Sequence, residues 1–433
     1  MIDYLKQSLV TYLNQIVRIA LVAGSNIIIA RYLGPSGKGV LSLIMSFLAM
    51  TLMIGMFGVD EANIYYISSK KTSHKSVFTN GLFHAFFISG ICIAIFLIFA
   101  KWFIANPLKS IDIRYYYIIV TLIPFYFINQ HAKSILLGHR AIYKYNIFVI
   151  TQFAALFLGH LCLIPILGLQ GGVLAIVLST LLLTILGLVF LFGYGSPGSV
   201  IDIALLKKSY GFGIRSQLGI IFSFLNQRLD LFIVNYFLSP YHVGIYAIAV
   251  AVGELPWHLP SAVATILFPW VAEMKREEAT RFSAYVLRNI TFVTAILVVI
   301  LALVGRPLIA LLFGNAFKES TLLLYILLPG IFSLGITRIL GGYFQGIGRP
   351  ELGTLMVSFS FVETVTLDLL LIPRMGAMGA AIASSVSYIS SALVGLLIFT
   401  RVGRINVVDA VIPKWGEITR LRGFFKLLKG RKS

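Results

Sequence analysis

The stretch IPILGLQGGVLAIVLST, Ile164–Thr180, recurs 208 positions later as IPRMGAMGAAIASSVSY, Ile372–Tyr388, and this recurrence decides how the chain is organised. Isoleucine, proline, two glycines, an alanine and a serine keep their register between the copies. In each copy an apolar run meets proline and glycine and then resumes at once, the pattern of a helical hairpin. The surroundings of the first copy agree, because no Asp, Glu, Lys or Arg occurs between Lys144 and Asp202. That length holds one impossibly long helix or two ordinary ones, and Pro165, Gly168, Gly171 and Gly172 favour two.

Two further islands repeat. LLGHR at Leu136 pairs with FQGIG at Phe344 at the same offset and shares Gly138 with Gly346. ARYLGPSGKGVL, Ala30–Leu41, pairs with VNYFLSPYHVGIY, Val234–Tyr246, matching Leu33 with Leu238, Pro35 with Pro240 and Gly39 with Gly244. Three islands close to one register mark an internal duplication.

Hydrophobic residues make up 58% of the chain and charged residues 12%, with a mean hydropathy of +0.93. These values exclude a soluble globular protein and predict an integral membrane protein. Only helices and closed barrels satisfy their backbone in lipid, and continuous apolar runs of this length read as helices. Gly, Pro and charge clusters divide them into twelve expected spans at 8–30, 39–59, 79–100, 114–137, 146–167, 171–193, 210–235, 243–268, 284–304, 320–342, 352–373 and 377–400. The expected fold is all-α and polytopic, with two parallel six-helix repeats around a central cavity. The repeats form an N-terminal lobe over 1–200 and a C-terminal lobe over 201–400. Most of the 35 Lys and Arg fall in loops on the side of the N-terminus, which predicts cytoplasmic termini. GPSGKG reads as an outer hairpin tip, with Arg31 and Lys38 flanking its GPSG. The net charge of +19 then faces an anionic inner leaflet and implies no nucleic acid. Residues 401–433 form a basic cytoplasmic tail in which Ile418, Leu421, Phe425 and Leu428 are spaced as an amphipathic helix. No cleavable signal is expected, since the first span carries Arg18 and no small-residue cleavage site.

An ionisable side chain inside the bilayer is costly unless it faces a wet cavity or a partner, so each one is a candidate. The basic ones are Arg18, Lys133, Arg215, Arg228, Arg288 and Arg338, and the acidic ones Asp230, Glu254, Glu363 and Asp368. Asn14, Arg18 and Ser25 share one face of the first span, and Arg215, Asn226 and Asp230 share one face of the seventh. The repeat places Ser25 opposite Asp230, so two related helices each turn a polar stripe one way, as helices lining a central cavity do. Snorkelling to the interface is the alternative for Arg215. Arg338 lies among apolar residues and glycines in LGITRILGG. Glu254, in GELPWHLP, sits where a broken eighth span exposes carbonyls, which makes it, with Asp230, the candidate for proton or cation coupling. Asp60 and Glu61 read as solvated interface residues, and Glu363 and Asp368 as interhelical contacts.

No HExxH or GxSxG occurs, and no extramembrane loop is long enough for a catalytic domain, so no enzyme is expected. GYGSPG, Gly193–Gly198, matches a dinucleotide fingerprint only formally, because it follows an apolar helix. Cys92 and Cys162 lie in apolar spans with no partner motif, so neither a metal, a cofactor nor a disulfide is implied.

ARYLGPSGKGVLSL, NQRLDLFIVNYFLSPYHVGIYAIA, the doubled IPxxGxxG turn and FQGIGRP resemble the Wzx-like polysaccharide flippases of the multidrug/oligosaccharidyl-lipid/polysaccharide (MOP) exporter superfamily. The resemblance runs across essentially the whole chain. It implies transfer of undecaprenyl-pyrophosphate-linked oligosaccharide units, as for O-antigen, capsule or exopolysaccharide, from the inner to the outer leaflet of a bacterial cytoplasmic membrane. It also implies Asp230 and Arg18 as functional positions, and a polysaccharide polymerase and chain-length machinery as partners. The alternative is the drug or organic-cation antiporter (MATE-type) branch, coupled to protons or sodium through Glu254 or Asp230.

Overall fold

The computed structural model describes residues 2–70, 72–406 and 410–411, with side chains from residue 14 onward except those of 215 and 216. The amphipathic segment expected from Ile418 to Leu428 lies outside the described residues. Among those described, every regular element is helical. The first half comprises α1 (Ile2–Gly55), α2 (Val59–Ser68), α3 (His74–Ile98), α4 (Ala100–Ala105), α5 (Ile113–Thr121), α6 (Ile123–Gly138), α7 (Ile142–Leu167) and α8 (Leu169–Phe192). The second comprises α9 (Ile203–Phe237), α10 (Pro240–Gly253), α11 (His258–Glu273), α12 (Arg276–Phe313), α13 (Ser320–Gly346), α14 (Pro350–Met375) and α15 (Ala377–Gly403).

Nine helices among the described residues are long and apolar enough to cross a membrane, and a tenth crossing is the pair α10–α11, bent by 53°. Inside α1, Gly34 breaks the helix with φ 62° and ψ −171°, dividing it into two spans. The helices α5 and α6 supply another crossing, interrupted at Leu122 where Pro124 starts α6 and removes a backbone donor. Twelve crossings result, and the multi-pass all-α fold is the one expected.

The repeat is visible as geometry. Gly168, between α7 and α8, has φ 57° and ψ −133°, and Gly376, between α14 and α15, has φ 63° and ψ −144°. Each N–H bonds back to the isoleucine four residues earlier, Ile164 in one copy and Ile372 in the other, at 2.8 and 2.9 Å. The next conserved glycine lets the returning helix touch the departing one, because a Cβ on Gly171 or Gly379 would run into the backbone of Leu163 or Leu371. Gly34 makes a third turn of this type.

The chain divides into two compact units, residues 1–247 with 311–317 and residues 248–310 with 318–433. In the first unit α7 packs along α8 and against α1, while α6 lies beside α2, α3 and α8. Gly39 and Gly244, paired by the repeat, meet there reciprocally: a Cβ on Gly39 would collide with Pro240 O, and one on Gly244 with Pro35 O. The same end is fastened by two cations on helix C-termini, where carbonyls lack partners. Arg31 donates to Leu311 O and Leu312 O at the end of α12, and Lys109 Nζ donates to Tyr236 O at the end of α9, at 2.7 Å. The second unit is built on α13, which packs along α15 and α11, with α14 beside α15. Its core includes Leu340, Tyr343, Phe344, Met356 and Phe399.

Candidate functional site

Two arginines of the spans, Arg18 and Arg338, rest against aromatic rings. Arg18, half-buried on the first arm of α1, places its guanidinium carbon 5.7 Å from the Phe153 ring centroid on α7. In the second unit Arg338 of α13 lies 5.4 Å from the Trp257 ring centroid, donates from Nε to Ser261 Oγ at 3.3 Å, and is exposed. No carboxylate pairs with either arginine among the described residues. Each keeps its charge beside a π-face, which attracts a cation without neutralising it.

Asn14 is half-buried and Ser25 buried on α1, and Asn226 and Asp230 are buried on α9. The side chain of Arg215 lies outside the described residues. Asp230 is engaged: Oδ2 accepts from Tyr246 Oη at 2.6 Å and Oδ1 from the Leu231 N–H at 2.7 Å. These bonds tie α9 to α10. Glu254 stands half-buried at the α10–α11 break, three residues before the Trp257 that carries Arg338. The structure thus groups Arg338 with the Glu254 break, while Arg18 and Asp230 sit in separate contacts of the first unit.

Two readings of charged residues change, and one holds. Lys38 is not a solvated tip cation; it is buried, and its Nζ donates to Asn26 Oδ1 at 2.7 Å. The helix restarts at Pro35, which carries Lys38 a turn inward and lets it bridge the two arms of the Gly34 hairpin. Asp60 is not simply solvated either, since it is half-buried and Oδ2 accepts from Gln130 Nε2 on α6 at 2.7 Å. Glu363 does make the interhelical contact expected, Oε1 accepting from Ser390 Oγ at 3.0 Å.

Sequence reasoning missed one buried network. Asn63 Nδ2 donates to Ser134 Oγ at 3.2 Å and lies 3.1 Å from His131 Nδ1, which makes that nitrogen the acceptor. His131 Nε2–H then donates to His84 Nδ1 across 2.9 Å. The network joins α2, α3 and α6. Its signal was present, because an intramembrane histidine is a candidate by the same rule as an arginine.

The sequence matches the family described as polysaccharide biosynthesis protein over residues 28–322, about two-thirds of the chain. The chain belongs to the polysaccharide biosynthesis protein family. The family match takes in the Gly34 hairpin, the buried Asn63–His131–His84 network, the α10–α11 break and the start of α13. A curated relative, the probable low-salt glycan biosynthesis flippase Agl15 of Haloferax volcanii, is 28% identical over 166 residues, covering 37% of this chain and 35% of that protein. The match therefore spans about a third of Agl15. The uncharacterized membrane protein MJ1068 of Methanocaldococcus jannaschii is 21% identical over 380 residues, covering 81% of this chain and 75% of the relative.

Among solved structures, the lipid II flippase MurJ in an inward closed conformation superposes with a TM-score of 0.76 at 14% identity, covering 99% of this chain and 94% of that one. An inward-facing multidrug resistance MATE family transporter of the MOP superfamily gives 0.74 at 16% identity, covering 89% and 95%. At such identities the likeness is one of fold. This family member shares its fold with these two structures.

Proposed function

We propose that this protein is a flippase that moves undecaprenyl-pyrophosphate-linked oligosaccharide units from the cytoplasmic to the outer leaflet of a bacterial cytoplasmic membrane by alternating access. Two six-helix lobes, 1–200 and 201–400, enclose the cavity, and both termini are cytoplasmic. The observation that carries this reading is the state of the span arginines. Arg18 and Arg338 rest on Phe153 and Trp257 with no paired carboxylate among the described residues, so their charge is available to an anionic headgroup. Sugars and pyrophosphate cannot enter hydrocarbon, whereas the polyprenyl tail can stay in lipid, so the cavity has to be wet and cationic. Guanidinium forks match phosphate oxygens in pairs.

Asn14, Ser25, Arg215 and Asn226 complete the polar stripes of that cavity, and Glu254 or Asp230 couples transport to an ion. The family assignment and the likeness to Agl15, a probable glycan biosynthesis flippase, support a glycan substrate. A MATE-type antiporter binds an organic cation and needs a free acid. Asp230, already accepting from Tyr246, suits that role less well than it suits support of the α9–α10 pair.

The test is reconstitution in liposomes carrying a labelled polyprenyl-pyrophosphate oligosaccharide, followed by an impermeant sugar-modifying enzyme outside. Substrate accessibility above that of protein-free vesicles is expected. No increase, together with proton-driven uptake of an organic cation, assigns the protein to the antiporter branch.

A further inference from the structure

A cavity of about 350 Å³ opens where α2 ends, α3 begins and α6 ends, lined by Ser68, Lys70, Thr72, His74, His139 and Arg140 among others. Counting crossings from the N-terminus puts it on the membrane face that holds the N-terminus. His74 Nδ1 and His139 Nε2 are 2.9 Å apart. His139 stacks on Tyr194 at 4.4 Å between centroids, and Lys144 Nζ covers the other partner of that stack, 4.4 Å from the Tyr194 centroid. Lys70 and Arg140 are exposed at the rim, and no carboxylate pairs with them among the described residues.

The backbone beneath the two rim cations is unusual for their residue type. Lys70 has φ 54° and Arg140 φ 55°, left-handed values that favour glycine. At Arg140 the turn is a Schellman motif, with the Arg140 N–H on Leu137 O at 2.9 Å and the Ala141 N–H on Leu136 O at 3.0 Å. The internal repeat provides a control. The equivalent end of α13 makes the same two bonds, Gly348 to Gln345 O at 3.1 Å and Arg349 to Phe344 O at 2.9 Å, and the left-handed position there is Gly348 with φ 72°. Gly138 abuts Ile67 in one corner as Gly346 abuts Val271 in the other, so the two corners share their packing. A cation at a helix C-terminus gains from the dipole, and Arg404 alone at the end of α15 can be explained that way. The dipole does not explain why two such cations share one cavity with a histidine pair.

We propose that the Lys70–His74–His139–Arg140 cavity is a docking site for the phosphate group of an anionic ligand, which, resting on the flippase reading, is the pyrophosphate of the lipid-linked substrate before it enters the transport pathway. Two fixed charges, two imidazoles and the Thr72 hydroxyl line one cavity with no fixed acceptor charge, the composition that phosphate oxygens require, while the Ser68 hydroxyl donates to Tyr65 O. His139 adds a pH response. Burial depresses its pKa, and the charges of His74 and Lys144 depress it further. A bound phosphate beside His139, facing Arg140, His74, Lys144 and Tyr194, favours the protonated ring. Binding then takes up a proton, and affinity rises as pH falls.

The experiment measures equilibrium binding of labelled inorganic pyrophosphate to the full-length protein in phosphatidylcholine nanodiscs. The key variant is Arg140→Gly, which removes the cation while installing the residue the second repeat uses at this backbone position, so folding is not compromised. Saturable binding to the wild type is expected, weaker by roughly tenfold in Arg140→Gly and by more in Lys70→Gly/Arg140→Gly. Equal binding by wild type and double variant, or no saturable binding, overturns the proposal.

Nanodiscs doped with polyprenyl pyrophosphate or with phosphatidylglycerol separate the sources. Competition by the polyprenyl lipid alone identifies the substrate headgroup; equal competition by both identifies surrounding lipid; competition by neither identifies a soluble phosphate. The flippase reading can fail separately, since a protein that binds pyrophosphate here but moves no lipid-linked glycan keeps the site and loses the function.

Discussion

The ends of α6 and α13 are the same turn built twice, one from Gly138–His139–Arg140 and one from Gly346–Ile347–Gly348. The backbone bonds agree, and so does the packing of the first glycine on a branched side chain. What differs is chemistry: the first corner carries imidazole and guanidinium around a cavity, while the second carries isoleucine and the glycine that its φ favours. Duplication supplies a symmetric scaffold, and polar side chains that depart from the symmetry mark where the two halves took different tasks. Positions that keep it, such as Gly39 and Gly244, mark where the scaffold itself depends on both copies.

The largest effect is expected where the symmetry is kept. In Gly39→Val the added carbons would overlap Pro240 O, and the neighbouring contact is backbone, which cannot swing aside as a side chain can. Overpacking of this kind costs about 1–3 kcal/mol or more. The thermal unfolding temperature in detergent should fall by several degrees, and Gly244→Val should fall alike. Unequal losses would break the equivalence of the two positions.

Next come the span arginines, one in each unit. A hydrogen bond to a charged group contributes about 1.5–3 kcal/mol, so on the proposed flippase function Arg18→Ala and Arg338→Ala should each slow glycan export by roughly ten- to a hundredfold with the protein level in the membrane unchanged. Immunoblotting alongside a flipping assay reads both quantities. Full transport in the two variants would remove the cationic cavity.

Asp230 and its repeat partner Ser25 offer a milder contrast. Both are buried, but only Asp230 holds a carboxylate against a tyrosine. Asp230→Asn, which takes the charge from the acceptor, and Tyr246→Phe, which removes the donor, should each destabilise by about 1–2 kcal/mol, and the double variant by little more than Tyr246→Phe, because both act on one bond. Additive losses would assign Asp230 a second role, the coupling role.

Much of this fold is legible in the sequence because its punctuation is local. Gly34, Gly168 and Gly376 announce their hairpins through glycine beside proline or a small residue, and Pro256 announces the α10–α11 break. The interruption at Leu122 also had its signal in Pro124, two residues beyond it. The site was less legible for a physical reason. Whether a charge in a span is wet, stacked or paired depends on which helix lies opposite, and the sequence periodicity of one helix does not contain that information. Lys38 on Asn26, Asp60 on Gln130 and His84 on His131 are all such cases, decided across helices. The left-handed arginine lay between these extremes. LLGHR aligned on FQGIG already set Arg140 opposite a glycine, and only the backbone φ made that pairing a statement about strain.

The smallest expected effect sharpens the comparison most. Exchanging the two left-handed residues separates backbone cost from chemistry, since Arg140→Gly relieves the φ penalty and Gly348→Arg imposes it. The cost of a non-glycine residue in this region is about 1–2 kcal/mol, so Arg140→Gly should raise stability slightly while weakening pyrophosphate binding, and Gly348→Arg should lower stability by a similar amount with binding unaltered. Opposite signs in the two measurements for Arg140→Gly are the outcome that a merely structural arginine could not produce. If Arg140→Gly instead lowered stability, the guanidinium would be serving the end of α6 through the helix dipole. The difference between the corners would then be one of capping.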